Sequence, residues 1–256
     1  MKQKLKMGVI GLSAVFLAAC GAGSGDKLTI GTDAAYAPFE SLDGDKIVGF
    51  DVDLLEAVMK EAGLEYEMKN TGWEPLFIAL KNEEVDAGIS AITINDDRKK
   101  TYDFSSPYFE SINMILAKDG TSITSAKDLE GKKVSVQNGT TGQEALEKMF
   151  GKSDNIKKFE NNTLAIQALL NGEVEAVVAD NAVVQEYAKN NPDKKLVTIT
   201  DKENFESEYY GIIFPKKGEH QEEINKALKK VIESGKYAEI YKTWFGEEPN
   251  VDALKQ

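Results

Sequence analysis

Histidine, cysteine and arginine each occur once among the 256 residues of this chain, and each scarcity closes off a class of chemistry. The histidine, His220, lies in the polar run Lys216-Lys-Gly-Glu-His-Gln-Glu-Glu223, which reads as a solvated helix start. Histidine-dependent triads and multi-histidine metal sites are thereby excluded. The cysteine, Cys20, has no partner for an internal disulfide and cannot build a thiolate metal cage. Positive charge is in deficit: 31 Lys and Arg against 43 Asp and Glu leave a formal charge of −12, the wrong sign for a nucleic-acid-binding face. With so many acids, carboxylate pairs are common and single out nothing. Long apolar runs are missing as well. The stretch from Met7 to Ala19 is shorter than the roughly 20 residues a membrane-spanning helix needs, and no other segment is apolar enough.

That stretch has another reading. It follows the basic start Met-Lys-Gln-Lys-Leu-Lys and ends in Leu17-Ala-Ala-Cys20, so residues 1–19 read as a secretory signal peptide. The last four residues are similar to a bacterial lipobox, in which the cysteine becomes the lipidated N-terminus. Residues 20–26, rich in glycine, then form a flexible tether behind the lipid on Cys20. The remainder is long enough for one large domain or two of ordinary size. The expectation is an extracytoplasmic globular protein held to the outer face of a cell membrane by lipid alone.

From Leu28 onward, short β-branched runs alternate with helical patterns. Strands are predicted near 28–32, 64–68, 85–89, 112–117, 133–137, 174–179, 196–199 and 209–214. Helices are predicted near 50–62, 73–80, 142–150, 163–170, 182–189, 224–232 and 237–245, with Gly63 as a stop after the first. The alternation implies an α/β fold with parallel sheets covered on both faces. One internal match supports two lobes built alike. Ala79-Leu-Lys-Asn-Glu-Glu-Val-Asp-Ala-Gly-Ile89 aligns without gaps on Ala168-Leu-Leu-Asn-Gly-Glu-Val-Glu-Ala-Val-Val178, with six of eleven positions identical. The same register sets Ser90-Ala91 opposite Ala179-Asp180, each just past the carboxyl end of a strand, where open α/β sheets bind ligands.

The single arginine, Arg98, falls in the stretch that follows the first copy, Ser90-Ala-Ile-Thr-Ile-Asn-Asp-Asp-Arg98. A guanidinium grips a carboxylate with two parallel hydrogen bonds where an ammonium is a point charge, so one arginine kept among lysines suggests a carboxylate clamp. An ordinary ion pair with Asp96 or Asp97, themselves suited to the first turn of a short helix, is the plainer alternative. Asn138-Gly-Thr-Thr-Gly-Gln-Glu144 joins a strand to a helix; Thr141 and Glu144 have capping-box spacing, and the helix start offers N–H groups to an anion. Asp33 and Asp180 each end a strand, as turn or cap residues or as acceptors for an ammonium. Together with Tyr36 and Trp73 these residues describe a site for a zwitterion.

The chain resembles the polar amino-acid-binding proteins of ABC importers, the family 3 extracellular solute-binding proteins. The resemblance rests on Gly31-Thr-Asp-Ala-Ala-Tyr-Ala-Pro-Phe-Glu40, Val48-Gly-Phe-Asp-Val-Asp-Leu54, Ile92-Thr-Ile-Asn-Asp-Asp-Arg-Lys-Lys100, Asp103-Phe-Ser, Gly139-Thr-Thr and Tyr241-Lys-Thr-Trp-Phe-Gly246. It implies a two-lobed, type II periplasmic-binding-protein-like fold, each lobe a mostly parallel sheet flanked by helices, with the ligand in the cleft between them. The lobes would be 27–110 plus 209–256, and 111–208. By motif position, Arg98 grips the α-carboxylate with the Thr93 hydroxyl and the Thr141 backbone and side chain; Asp180, the Ser90 carbonyl or hydroxyl and Thr93 take the α-ammonium; Ala91 lines the pocket through its backbone, and Thr140 is also a ligand-binding residue. Tyr36 and Trp73 flank the side chain, and Asp33 and Gln137 meet its far end. In glutamine-binding members the position of Gln137 tends to be lysine, which would neutralise Asp33. Uncharged Gln137 leaves Asp33 free for a cation, so a cationic amino acid is expected, with glutamine or another polar amino acid as the alternative. The partners implied are an ABC permease and its ATPase; no cofactor, no nucleic acid and a monomeric state are expected. A dehydratase on the same fold and a sensor domain are the other classes.

Overall fold

The computed structural model describes residues 27–255. Cys20, the expected signal peptide and the whole of the expected tether lie outside them. The first sheet begins with β1 (Leu28–Thr32), and three short antiparallel strands follow: β2 (Ala35–Tyr36), β3 (Glu40–Asp43) and β4 (Lys46–Val48). Helix α1 (Phe50–Ala62) starts directly after Gly49, whose φ of 151° brings its α-carbon so close to Phe39 that a Cβ would stand 1.9 Å from the Phe39 carbonyl oxygen. No side chain fits there. The helix buries Phe50, Leu54, Leu55, Val58 and Met59, a 3.6-period stripe, and ends at the left-handed Gly63. The chain continues through β5 (Tyr66–Asn70), α2 (Trp73–Lys81), β6 (Ala87–Gly88), α3 (Asp96–Lys99) and β7 (Tyr102–Phe104). β1 pairs in parallel with β5 and β6.

Ten-residue β8 (Phe109–Lys118) then enters the second sheet. There β9 (Val134–Gln137), α4 (Thr141–Phe150), β10 (Ile156–Phe159), α5 (Asn162–Asn171), β11 (Ala176–Asp180), α6 (Asn181–Asn190) and β12 (Leu196–Ile199) follow in order. The strand order is β10-β9-β11-β8-β12. Along β8, Met114 and Leu116 face one apolar cluster and Ile115 and Ala117 the other, so the period of two fills both faces of the sheet. The chain returns along β13 (Ser207–Tyr210), antiparallel to the first half of β8, and enters the first sheet as β14 (Ile213–Pro215) between β6 and β7. Helices α7 (Gln221–Glu233) and α8 (Lys236–Phe245) close against α1. Phe109 and Tyr210 stack at 5.4 Å within the core beneath α1, so the two crossing strands are anchored in one half while they pair in the other.

The repeat is real in three dimensions. Ala79–Ile89 and Ala168–Val178 are each a helix, a turn and a strand at the middle of its own sheet. Aligned positions make the same bonds: Glu84 N–H to the Ala79 carbonyl and Glu173 N–H to the Ala168 carbonyl, at 2.8 and 2.9 Å. Asp86 N–H and Glu175 N–H likewise donate at 2.8 Å to the strand beside them, at Thr29 and Lys133. The helix starts differ. Asn161 caps α5 by accepting from Leu164 N–H at 3.0 Å, whereas α2 begins at Gly72 without a side-chain cap. Asn161→Ala should therefore cost about 1 kcal/mol, read as a lower urea midpoint with an unchanged slope.

Three expectations need correction. The sheets are mixed, not mostly parallel, because the crossing segments insert antiparallel strands: β14 in the first sheet, β8 and β12 in the second. The strand expected over 209–214 is two strands, interrupted at Gly211-Ile212 where the chain passes from one sheet to the other. The expected strand over 85–89 is likewise only Ala87–Gly88.

Candidate functional site

The carboxyl ends of β6 and β11 face one enclosed cavity. Tyr36, Trp73, Ser90, Ala91, Thr93, Arg98, Gln137, Thr140, Thr141 and Asp180 line it. Every residue expected at the site is there except Asp33, which stands one hydrogen bond behind the wall. The enclosed volume is about 20 Å³, far below the roughly 300 Å³ of small-molecule sites. The reason is direct pairing across the cavity between groups from the two sheets. Tyr36 OH donates to Asp180 Oδ2 at 2.6 Å, Gln137 Nε2 to Asp33 Oδ2 at 3.0 Å, and Arg98 Nη2 to the Gly139 carbonyl at 3.3 Å.

Arg98 belongs to a four-residue helix whose N-cap, Asn95, accepts from its backbone N–H at 2.8 Å. Its guanidinium packs beside an edge-on pair of aromatic rings, 5.4 Å from the Trp73 centroid and 5.3 Å from that of Phe77, and donates to the Thr93 carbonyl at 2.8 Å. Asp97 pairs instead with Lys100, so the plain ion-pair reading fails. Glu144, Glu208 and Asp180 act on Arg98 only through space, while burial pulls its pKa down from the ordinary arginine value. Among the described residues this half-buried cation has no carboxylate bonded to it.

Asp180 ends β11, and its Oδ2 also accepts from Tyr210 OH at 2.6 Å. Burial raises its pKa, opposed by the hydroxyls of Tyr210 and Tyr36 and by the charge of Arg98. On the other side of the cavity, Ser90 Oγ donates to Glu40 Oε1 at 2.7 Å and accepts from Asp33 N–H at 3.1 Å. Ala91 sits at φ 47°, a left-handed backbone unusual for alanine, with its N–H bound to Asp51 Oδ2 at 2.8 Å. Asp51 is wholly buried beside Glu40, and desolvation pushes its pKa up to about 7; Glu40, also wholly buried, is likewise raised well above the usual carboxylate value by desolvation and then by the Asp51 charge. These two buried carboxyls underlie the strained backbone that follows β6.

This constellation stands at the carboxyl ends of two repeated units joined by paired crossing strands. The sequence profile of the bacterial extracellular solute-binding proteins, family 3, matches residues 28–247. The chain belongs to that family. A "probable histidine-binding protein" of Neisseria gonorrhoeae is 42% identical over 253 residues, covering 92% of this chain and 93% of that protein. The arginine-binding extracellular protein ArtP of Bacillus subtilis is 35% identical, covering 97% of this chain and 100% of its own length. Among solved structures, the arginine-, lysine-, histidine-binding protein ArtJ of Geobacillus stearothermophilus superposes with a TM-score of 0.89 at 62% identity, covering 90% of this chain and all of that one. The fold is that of the type II periplasmic-binding proteins, two α/β lobes with mixed sheets.

Within this family 3 protein, three details depart from the sequence reading. Asp33 is not left free by Gln137: the amide donates to it, while burial and the Glu160 charge raise its pKa against that bond. An amide carries no charge, so the Asp33 charge is still unneutralised. The expected capping pair at Thr141 and Glu144 is shifted by one residue. Thr140 is the N-cap of α4, accepting from Gln143 N–H at 3.4 Å, and Gln143 Oε1 accepts in turn from Gly139 N–H at 2.8 Å. The shift leaves the Thr141 hydroxyl free to work elsewhere. It donates at 2.7 Å to Glu208, which sequence reasoning missed along with Tyr210 and Phe77. Glu208 and Tyr210 lie on a crossing strand without a local motif. Phe77 carried a signal: it is one helical turn beyond Trp73, on the same face of α2.

Proposed function

We propose that this protein is the substrate-binding component of an ABC amino-acid importer, capturing a cationic L-amino acid (arginine, lysine or histidine) and delivering it to a permease and its ATPase. It acts as a monomeric binding protein and not as an enzyme, held to the outer face of the cell membrane through lipid on Cys20. The lobes are 27–110 plus 209–256, and 111–208, and the ligand replaces the bonds that pair them directly. Arg98 and the first N–H groups of α4 take the α-carboxylate; Asp180 and the Ser90 carbonyl take the α-ammonium; Trp73 and Tyr36 flank the side chain. Asp33, with Glu40 behind it, supplies the negative end for the side-chain cation.

The observation that carries this reading is the charge balance around one small cavity. Arg98 is its single lining cation and is matched by the α-carboxylate, whereas Asp180 and Asp33 together offer more negative charge than an α-ammonium alone can use. A second positive charge on the ligand completes the balance. The relatives described above, named as arginine-, lysine- or histidine-binding proteins, support the same class. Titration calorimetry on the purified domain tests it: at least one basic amino acid should bind tenfold or more tighter than glutamine. Tight glutamine binding with no heat from arginine, lysine or histidine would contradict it.

A further inference from the structure

Glu208 on β13 reaches the site from the strand that crosses between the lobes. One of its carboxylate oxygens, Oε2, accepts from Thr93 Oγ1 and from Thr141 Oγ1, both at 2.7 Å, and the other accepts from Asn113 Nδ2 at 2.8 Å. Thr93 belongs to the arginine-bearing stretch and Thr141 to the start of α4, so one oxygen ties the two sides of the cavity. β13 is brought to this place by backbone pairing with that stretch, Ile94 N–H to the Tyr209 carbonyl at 2.7 Å and Gly211 N–H to the Ile92 carbonyl at 3.0 Å. On the other side, Gly142 permits the close approach of α4, since a Cβ there would stand 2.8 Å from Asn113 Oδ1.

A threonine hydroxyl has one proton to donate and lone pairs with which to accept, while an ionised carboxylate only accepts. Both hydroxyl protons are therefore committed to Glu208, and what Thr93 and Thr141 still offer the cavity is lone pairs. Ser90 is in the same condition, its proton held by Glu40. We propose that Glu208 is a positioning residue for ligand orientation: by holding the protons of Thr93 and Thr141 it turns both hydroxyls into acceptors for the α-ammonium and leaves the α-carboxylate to Arg98 and backbone N–H groups. This rests on the amino-acid reading above, and it reverses the role the family resemblance suggests for the Thr141 side chain. It also makes the site's polarity depend on one proton. Were the proton to lie on the oxygen that the threonines share, at least one threonine would turn its own proton toward the ligand; on the other oxygen it would meet Asn113, whose Oδ1 has no hydrogen-bond partner among the described residues.

Burial, then the charge of Asp180, push the Glu208 pKa up to about 7 against the two threonine bonds and Arg98. The charged groups facing it are Asp180 from β11, Arg98 from α3 and Glu144 from α4. A ligand ammonium bound by the acceptor hydroxyls favours the ionised carboxylate. Affinity should therefore be full above pH 7 and fall as pH drops below it, with a proton released on binding near neutrality. Asp51 titrates in the same range, so wild-type pH dependence alone does not assign the effect.

The test is arginine calorimetry between pH 5.5 and 8.5 on wild type and Glu208→Gln, in buffers of different ionisation enthalpy, with thermal melts of both. The expected result is a loss of tenfold or more at pH 8 for E208Q, with the difference shrinking at pH 5.5 and less proton release near pH 7. Wild-type affinity and an unchanged pH profile in E208Q overturn the proposal. Should E208Q fold poorly, carboxyl-carbon NMR of the wild type replaces it: the Glu208 pKa should fall on saturation with arginine, and an unmoved pKa overturns the proposal. If the wild type binds no basic amino acid, the functional reading falls and this inference with it; normal binding with an indifferent Glu208 removes the inference alone.

Discussion

Arg98→Lys should weaken binding of a basic amino acid by about a hundredfold or more, with the melting temperature nearly unchanged. The guanidinium rests against the Trp73 and Phe77 rings and already gives one N–H to the Thr93 carbonyl and another to the Gly139 carbonyl. A carboxylate entering the cavity meets further N–H groups of the same rigid fork, in the orientation the two rings impose. Lysine has three donors on a single atom and cannot satisfy Thr93 while bonding a carboxylate in two places. Losing about two charge-assisted hydrogen bonds, at roughly 1.5–3 kcal/mol each, gives a hundredfold or greater loss. Stability should change little, because no carboxylate is paired with Arg98 and none is stranded by the exchange. Calorimetry and a thermal melt separate the effects: lost binding with an unchanged melt supports a ligand clamp, and retained affinity in Arg98→Lys contradicts it.

The sequence made some of this legible for physical reasons that are specific to position. Glycine stops, helix faces and alternating strands are local, so α1 ends at Gly63 as its pattern demands, and α5 and α6 fall within a residue or two of expectation. The repeat was legible because two lobes built alike bury the same helix-turn-strand unit. From that one alignment Ser90-Ala91 and Ala179-Asp180 come out at facing strand ends, and both dipeptides touch one cavity. What stayed hidden depends on contacts distant in sequence. Glu208 is separated by 115 residues from Thr93 and by 67 from Thr141, and a glutamate on a strand among 43 acids announces nothing. The cap of α4 was displaced by one residue because both Thr140 and Thr141 satisfy the spacing rule, and only tertiary contact decides which hydroxyl turns back to the helix. Tyr36 was legible as an aromatic near a strand end, but its hydroxyl bond to Asp180 requires knowing that the two sheets face each other.

The complementary experiment concerns the opposite end of the zwitterion. Asp180→Asn removes a charge while keeping an oxygen that can accept from Tyr36 and Tyr210, whose hydroxyls both stand 2.6 Å from Oδ2. The fold should survive this exchange, since no buried hydroxyl loses its acceptor. Asp180→Ala would strand both, at roughly 1–3 kcal/mol for each unsatisfied group, and so confuses binding with stability. In Asp180→Asn the α-ammonium meets a neutral amide in a cavity from which water is largely excluded, where a missing counter-charge costs far more than at a surface. A loss of about a hundredfold or more is expected. Burial raises the Asp180 pKa above the ordinary carboxylate value, and the ammonium requires the ionised form. Wild-type affinity gains from Asp180 at neutral pH and loses that contribution as pH falls toward this raised value. The asparagine variant should lack the Asp180 part of the acid limb and keep the part that Glu208 contributes. Calorimetry at pH 8 and at pH 5 distinguishes the cases: an Asp180→Asn protein that binds arginine as tightly as wild type at pH 8 would place the ammonium elsewhere in the cleft. One that binds weakly at pH 8 and loses less than wild type does on going to pH 5 assigns the charge of Asp180 to the ammonium.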